Sequence, residues 1–85
     1  KQISAFPMEI DLRGQNGDDG CFQLDKYLDE ASLAGLESVT IIHGKGTGAL
    51  RSAIWQHLKG HPHVAAYRQG VYGEGDAGVT VVELR

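Results

Sequence analysis

Between Met8 and Leu84 the apolar residues switch their spacing repeatedly, from every second position to about every third or fourth and back, and this switching leaves few folds open. MEIDL (Met8 to Leu12) alternates Met8, Ile10 and Leu12 with Glu9 and Asp11, the pattern of a strand with one buried face. From Asp18 onward Leu24, Tyr27, Leu28 and Ala31 recur at helical spacing, with aspartates where a helix N-terminus favours them and Gly35 as the stop. VTIIH (Val39 to His43) is β-branched and of strand length. Leu50, Ala53, Ile54 and Leu58 then mark a second amphipathic helix, closed by Gly60 and Pro62. A third strand is expected near Val64 to Arg68, a glycine-rich hairpin or loop from Gly70 to Gly78, and a last strand in VTVVEL (Val79 to Leu84).

The order β-α-β-α-β-β predicts an α/β two-layer sandwich. Its mixed sheet has both helices on one face, the first strands run parallel through right-handed crossovers, and the last pair forms a hairpin. The other face of the sheet, or its rim, is left for a partner. With 85 residues there is room for one small core, so residues 8–85 are expected to form a single domain and 1–7 a linker or tag-proximal segment. No apolar run approaches the ~20 residues of a membrane span. A start at Lys1 reads as a fragment of a longer parent, without a basic-then-apolar leader. Cys21 is the single cysteine, which excludes an internal disulfide and fits a soluble, cytoplasmic protein.

Charge is unevenly distributed. Residues 1–37 carry three basic residues against eight acids, whereas residues 38–73 carry Lys45, Arg51, Lys59, Arg68 and all four histidines with no Asp or Glu. A purely basic segment inside an acidic chain fits one face that meets phosphates; a solvated surface with chance clustering fits as well.

That segment holds HGKGTGALR (His43 to Arg51). It is not a P-loop, which requires G-x-x-x-x-G-K-[ST], nor a dinucleotide fingerprint, because Gly44, Gly46 and Gly48 run G-x-G-x-G and no acid follows before Glu74. What remains is a glycine loop entering a helix, with backbone N–H groups and Lys45 available to a phosphodiester, or a plain strand-to-helix turn with Thr47 as N-cap. Asp11 and His43 fall at adjacent strand ends and have proton-transfer chemistry available, although a turn partner for Arg13 and a strand-end hydrogen bond are the simpler roles. His57, His61 and His63 lack cysteines or nearby acids in sequence, so they are expected to be a basic solvated helix end and no metal ligand is assigned. Trp55, Tyr67 and Tyr72 suit either base stacking or edge packing.

DLRG (Asp11 to Gly14), LDKYLDEASLAG, IIHGKGTGALR, the His61-Pro62 pair and GVTVVELR together resemble the Smr (small MutS-related) domain, in the version found at the C-terminus of a bacterial MutS paralogue acting outside mismatch repair. The resemblance covers Glu9 to Leu84. It implies the same sandwich, nucleic-acid binding and, in many members, nicking of DNA or cleavage of RNA. Carried over by position, Asp11 is the acid of the first motif and His43 the loop histidine, the two catalytic candidates. Arg13, Gly44, Lys45, Gly46, Thr47, Gly48, Arg51 and Arg68 are expected to hold the nucleic-acid backbone. Partners implied are DNA, RNA or both, and the ribosome, within a homodimeric parent whose other domains use ATP. No cofactor is assigned to this domain, magnesium or manganese being the metal such a reaction would use. The chain departs from the family at QNGDDGCF after DLRG, where Gly17 and Gly20 are expected to weaken the first helical turn by about 1 kcal/mol each. A module that docks on nucleic acid or the ribosome without cutting is the alternative reading.

Overall fold

The computed structural model describes residues 6–73 and 76–85. In chain order it contains β1 (Glu9–Asp11), α1 (Gly17–Leu33), β2 (Ser38–Ile42), α2 (Ala49–Leu58), β3 (Val64–Gln69), a 3-10 turn (Asp76–Gly78) and β4 (Val79–Leu84). The four strands make one mixed sheet in the order β1-β2-β4-β3, with β1 and β2 parallel and β4 antiparallel to both its neighbours. The expected α/β sandwich and terminal hairpin are both present. The last strand lies between β2 and β3, so the connection through α2 passes across the position that β4 later fills.

Register and pleat divide the sheet into two faces. Val39 lies opposite Val82 and Ile41 opposite Thr80, and these side chains point toward the helices. Val39, Ile41 and Val82 form the core with Leu12, Leu24, Leu28, Ala31, Ile54 and Leu58. Fully burying a leucine or isoleucine contributes roughly 1.5–3 kcal/mol each, so this cluster supplies most of the apolar driving force. The intervening positions face away from both helices. Glu9 pairs with Thr40, Asp11 with Ile42, Ile42 with Val79, and Thr40 with Val81, which lies opposite Arg68. Among the described residues this second face carries no helix.

The start of α1 is better held than its sequence suggests. Asn16 caps it, its side-chain oxygen accepting the Asp19 N–H at 2.8 Å, and Asp18 and Asp19 occupy the first turn. Gly20 is buried, and a Cβ there would stand 3.1 Å from Leu50 Cδ1. The glycine that was expected to fray the helix instead lets α1 approach the start of α2. Phe6 and Pro7, assigned to the linker from sequence, dock on the same helix. The Phe6 ring stacks on Tyr27 with centroids 5.3 Å apart, and the Tyr27 hydroxyl donates to the Pro7 carbonyl at 2.7 Å. Among the described residues no helix is long and apolar enough to cross a membrane.

Candidate functional site

The glycine loop leaves the C-terminal end of β2 and turns into α2. The Gly78 carbonyl accepts both the His43 and the Gly44 N–H, at 3.1 and 2.9 Å, which ties the loop to the start of β4. Gly44 has φ +80, and a Cβ there would also press to 3.3 Å on Arg13 Cγ, so both backbone and space call for glycine. Gly48, also at positive φ, is the N-cap of α2 without a side-chain cap. Thr47, expected as that cap, lies one residue earlier, its hydroxyl accepting the Ala49 N–H at 3.3 Å. Among the described residues nothing accepts from the N–H groups of Lys45, Gly46, Thr47 or Gly48. They line a cleft of about 240 Å³ closed on its other side by Gly14 and Gln15. With no acid in the first turn of α2, the cleft suits an anion.

His43 is 5 % exposed, and its hydrogen bonds determine its proton. Nδ1 lies 2.9 Å from the Gly44 carbonyl, which can only accept, so Nδ1 carries the hydrogen. Nε2 is then an acceptor and takes the Thr80 hydroxyl hydrogen at 2.8 Å. The Thr80 oxygen in turn accepts the indole N–H of Trp55, also at 2.8 Å. Every donor and acceptor in this chain is used. His43 holds the loop from beneath and presents neither nitrogen to solvent. Neither Thr80 nor Trp55 was singled out as a partner of His43 from sequence.

Asp11 and Arg13 form an exposed pair at the end of β1. The guanidinium contacts the carboxylate at 2.6, 2.9 and 3.1 Å, and the Arg13 backbone N–H adds a bond at 3.0 Å. These hydrogen bonds hold the Asp11 carboxyl down at about 2 and raise the Arg13 guanidinium. Asp11 is therefore an anion at neutral pH and a weak base while paired. It shares no hydrogen bond with His43 among the described residues. Asp11 lies on the bare face, whereas the His43 ring turns toward Thr80 on the helix side.

The basic residues divide likewise. Arg13, Lys45 and Arg68 border the bare face, with Lys45 3.9 Å from Asp76. Arg51 lies on the α2 side, its guanidinium carbon 4.4 Å from the Trp55 ring centroid, and Tyr67 meets Trp55 edge-on at 5.0 Å. The loop is a ridge between two unlike surfaces. For magnesium or manganese the donors here do not fit: both Asp11 oxygens are committed to Arg13, Asp76 faces Lys45, and of the other bare-face carboxylates among the described residues Glu83 lies opposite Ser38 at the far end of the sheet, which leaves Glu9.

The histidines near the end of α2 correct the sequence expectation. They do have acids beside them, contributed by α1. His57 and His61 direct Nε2 at Asp25 Oδ1, at 3.2 and 2.7 Å, and His63 directs Nε2 at Asp29 Oδ1 at 2.8 Å. Spacings of 32 to 36 residues hide these pairs from a local reading. The possible ligand atoms of Asp25, His57 and His61 lie within 4.8 Å of one another. The tautomer of His61 argues for a hydrogen-bonded clasp. Its Nδ1 accepts the His63 N–H at 3.1 Å, which puts its hydrogen on Nε2, toward Asp25, where a metal ligand would need a lone pair. These bonds, from His61 first and then His57, keep the Asp25 carboxyl below its usual range.

Comparison with known proteins shows the family and its fold. A family model described as the Smr domain matches residues 10–85. A protein named endonuclease MutS2 from Caldicellulosiruptor bescii is 62 % identical over 78 residues, covering 92 % of this chain and 10 % of its own length. Another of that name from Clostridium novyi is 60 % identical over 83 residues, covering 98 % of this chain and 11 % of its own. The chain thus spans about a tenth of these relatives. The crystal structure of the Smr domain of Thermus thermophilus MutS2 superposes with a TM-score of 0.88 at 44 % identity, covering 91 % of this chain and 96 % of that one. The structure of YdaL, a stand-alone small MutS-related protein from Escherichia coli, gives 0.84 at 26 % identity, covering 99 % and 68 %.

Proposed function

The chain is a member of the Smr domain family, and from that premise we propose that it is a nucleic-acid-binding endonuclease module of a MutS-related parent. The observation that carries this reading is the glycine loop, whose N–H groups have no acceptor among the described residues and which stands with Lys45 beside the Asp11–Arg13 pair at the carboxyl ends of two parallel strands. A phosphodiester seated there meets loop N–H groups on one side and the Arg13 guanidinium on the other. As Arg13 turns to the phosphate it releases Asp11, whose proton affinity rises and which can then take a proton from the attacking water or 2′-hydroxyl. As the new P–O bond forms, the bond to the departing sugar oxygen breaks and that oxygen takes a proton from solvent, while Arg13 and the loop stabilise the charge on the phosphoryl oxygens. His43 acts as a positioning residue by holding the Gly44 carbonyl. Arg51 and Arg68 extend the grip along the strand.

A second reading has its own support. Both catalytic candidates are engaged within the chain, which favours a docking module that binds DNA, RNA or a ribosome and cuts nothing. In either form the domain serves a dimeric, ATP-using, cytoplasmic parent concerned with recombination suppression or ribosome rescue.

One experiment separates them. Supercoiled plasmid and labelled single-stranded RNA are incubated with the chain, with magnesium or EDTA, beside Asp11→Asn and Lys45→Ala. Cleavage lost in Asp11→Asn with binding retained supports the nuclease. Shifted but uncut substrates support docking, and failure to bind either polymer or purified ribosomes at low salt overturns both.

A further inference from the structure

The bare sheet face beside the loop contains a second concavity, of about 650 Å³, which shares Gly44 and Lys45 with the loop cleft. Its floor is aliphatic. Ile42 and Val79 are direct cross-strand partners there, and Glu9 and Thr40 form the neighbouring pair. Arg13 and Lys45 stand at the end nearer the loop, Glu9 at the other. Among the described residues no hydrogen bond or ion pair reaches the Glu9 carboxylate or the Thr40 hydroxyl. The cavity is therefore polarised, with cations at one end, an apolar middle, and acceptors without hydrogen-bond partners at the far end.

We propose that this face seats one unpaired nucleobase, and that Glu9 favours guanine. This rests on the nucleic-acid reading of the loop. Glu9 precedes Asp11 by two residues, roughly 7 Å along the strand, a distance that the sugar of one nucleotide bridges between phosphate and base. A phosphate at Arg13 and Lys45 thus brings its own base over Ile42 and Val79. The apolar floor takes the ring face. The Glu9 carboxylate faces the Watson–Crick edge, where guanine alone offers two parallel donors, N1–H and N2–H, to a two-oxygen acceptor. A base within a duplex has that edge and both ring faces occupied, so the occupant is a base free of its stack. Charge complementarity at both ends distinguishes this occupant from an apolar peptide.

The test is an NMR titration of the 85-residue chain with GMP, IMP and ribose 5-phosphate, repeated on Glu9→Gln. The exposed Glu9 leaves the fold intact when changed. Expected are shifts at the Gly44 and Lys45 amides with all three compounds, and at the Ile42 and Val79 methyl groups with the two nucleotides only. GMP should bind at least ~5-fold more tightly than IMP, which lacks the 2-amino group, and Glu9→Gln should remove that margin. Methyl groups that stay still while the amides move would overturn the base site and leave the phosphate reading standing. So would equal methyl shifts with ribose 5-phosphate, GMP no tighter than IMP, or shifts that track protein concentration and mark a contact between copies. Amides unmoved by any of the three would overturn the proposal together with the loop reading beneath it.

Discussion

The Thr80 hydroxyl lies 2.8 Å from His43 Nε2 and donates its hydrogen there, because the Gly44 carbonyl holds the imidazole hydrogen on Nδ1; the same hydroxyl oxygen accepts the Trp55 indole N–H. A β4 residue and an α2 residue thereby support, from the Nε2 side, the tautomer that the Gly44 carbonyl imposes on a histidine at the end of β2. Thr80→Val should leave a buried Nε2 and an indole N–H unpaired, lowering stability by about 1–3 kcal/mol. Thr80→Ser should restore most of that. Denaturant midpoints measure the stability, and 15N imidazole shifts of His43 report the tautomer directly; an unchanged His43 spectrum in Thr80→Val would sink the relay.

Lys45 lies on an exposed loop and pairs loosely with Asp76. Its loss should cost binding rather than folding. Lys45→Ala is expected to leave the thermal midpoint unchanged and make the salt dependence of nucleic-acid binding shallower by about 0.7–0.9 in log–log slope, one phosphate contact. An unchanged slope would remove Lys45 from the interface.

Much of this was readable from local pattern, and the failures have physical causes. Strand and helix periods gave the element order, and HGKGTG placed the loop. The position of β4 between β2 and β3 depends on pairing between distant segments, which no local window contains. In VTVVEL the charge on Glu83 marks the 79/81/83 side as outward, but no local window shows which distant groups the inward-facing Thr80 would meet. Gly17 and Gly20 were expected to weaken the first turn because propensity describes an isolated helix, whereas here the missing side chains make room for Ala53 and Leu50. The acids beside His57, His61 and His63 sit on another helix.

Asp11 should titrate at about 2, and Arg13→Ala should return it toward the ordinary 3.8. A depressed folded-state value stabilises the fold above the unfolded pKa, and that stabilisation disappears as pH falls from about 3.8 through 2. Carboxyl carbon shifts followed from pH 5 to 1.5 would show it. A midpoint in the wild type equal to that in Arg13→Ala would mean that the pair does not persist in solution.

Tyr27 gives the opposite sign. Burial, with Glu9 nearby, pushes its hydroxyl up to about 12, so its donation to Pro7 stabilises the fold fully below pH 10 and is lost between 10 and 12. Tyr27→Phe should lower stability at neutral pH by about 1 kcal/mol and flatten the alkaline limb of the stability curve. Ultraviolet titration of the phenolate alongside circular dichroism tests both.

Asp25 Oδ1 accepts from both His57 and His61, so Asp25→Ala should open the clasp between α1 and the end of α2. The buried His61 Nε2–H is then left without a partner, at a cost on the order of 1 kcal/mol. Hydrogen exchange should quicken at the C-terminal turn of α2 while the glycine loop is unaffected. Protection unchanged at that turn would show that core packing alone holds it.

The insertion of β4 between β2 and β3 also orders events during synthesis. A nascent chain delivers β1, α1, β2 and α2 first, and these can begin to pack as they emerge. β3 is made next but has no edge to join, since its hydrogen-bonding neighbour in the finished sheet is β4. Residues 64–69 must wait until residues 79–84 have cleared the exit tunnel, and Thr80, which locks the loop histidine, arrives with that same strand. The loop thus acquires its fixed shape only when the last strand docks, so a partly made domain carries the basic segment without the geometry that would let it grip.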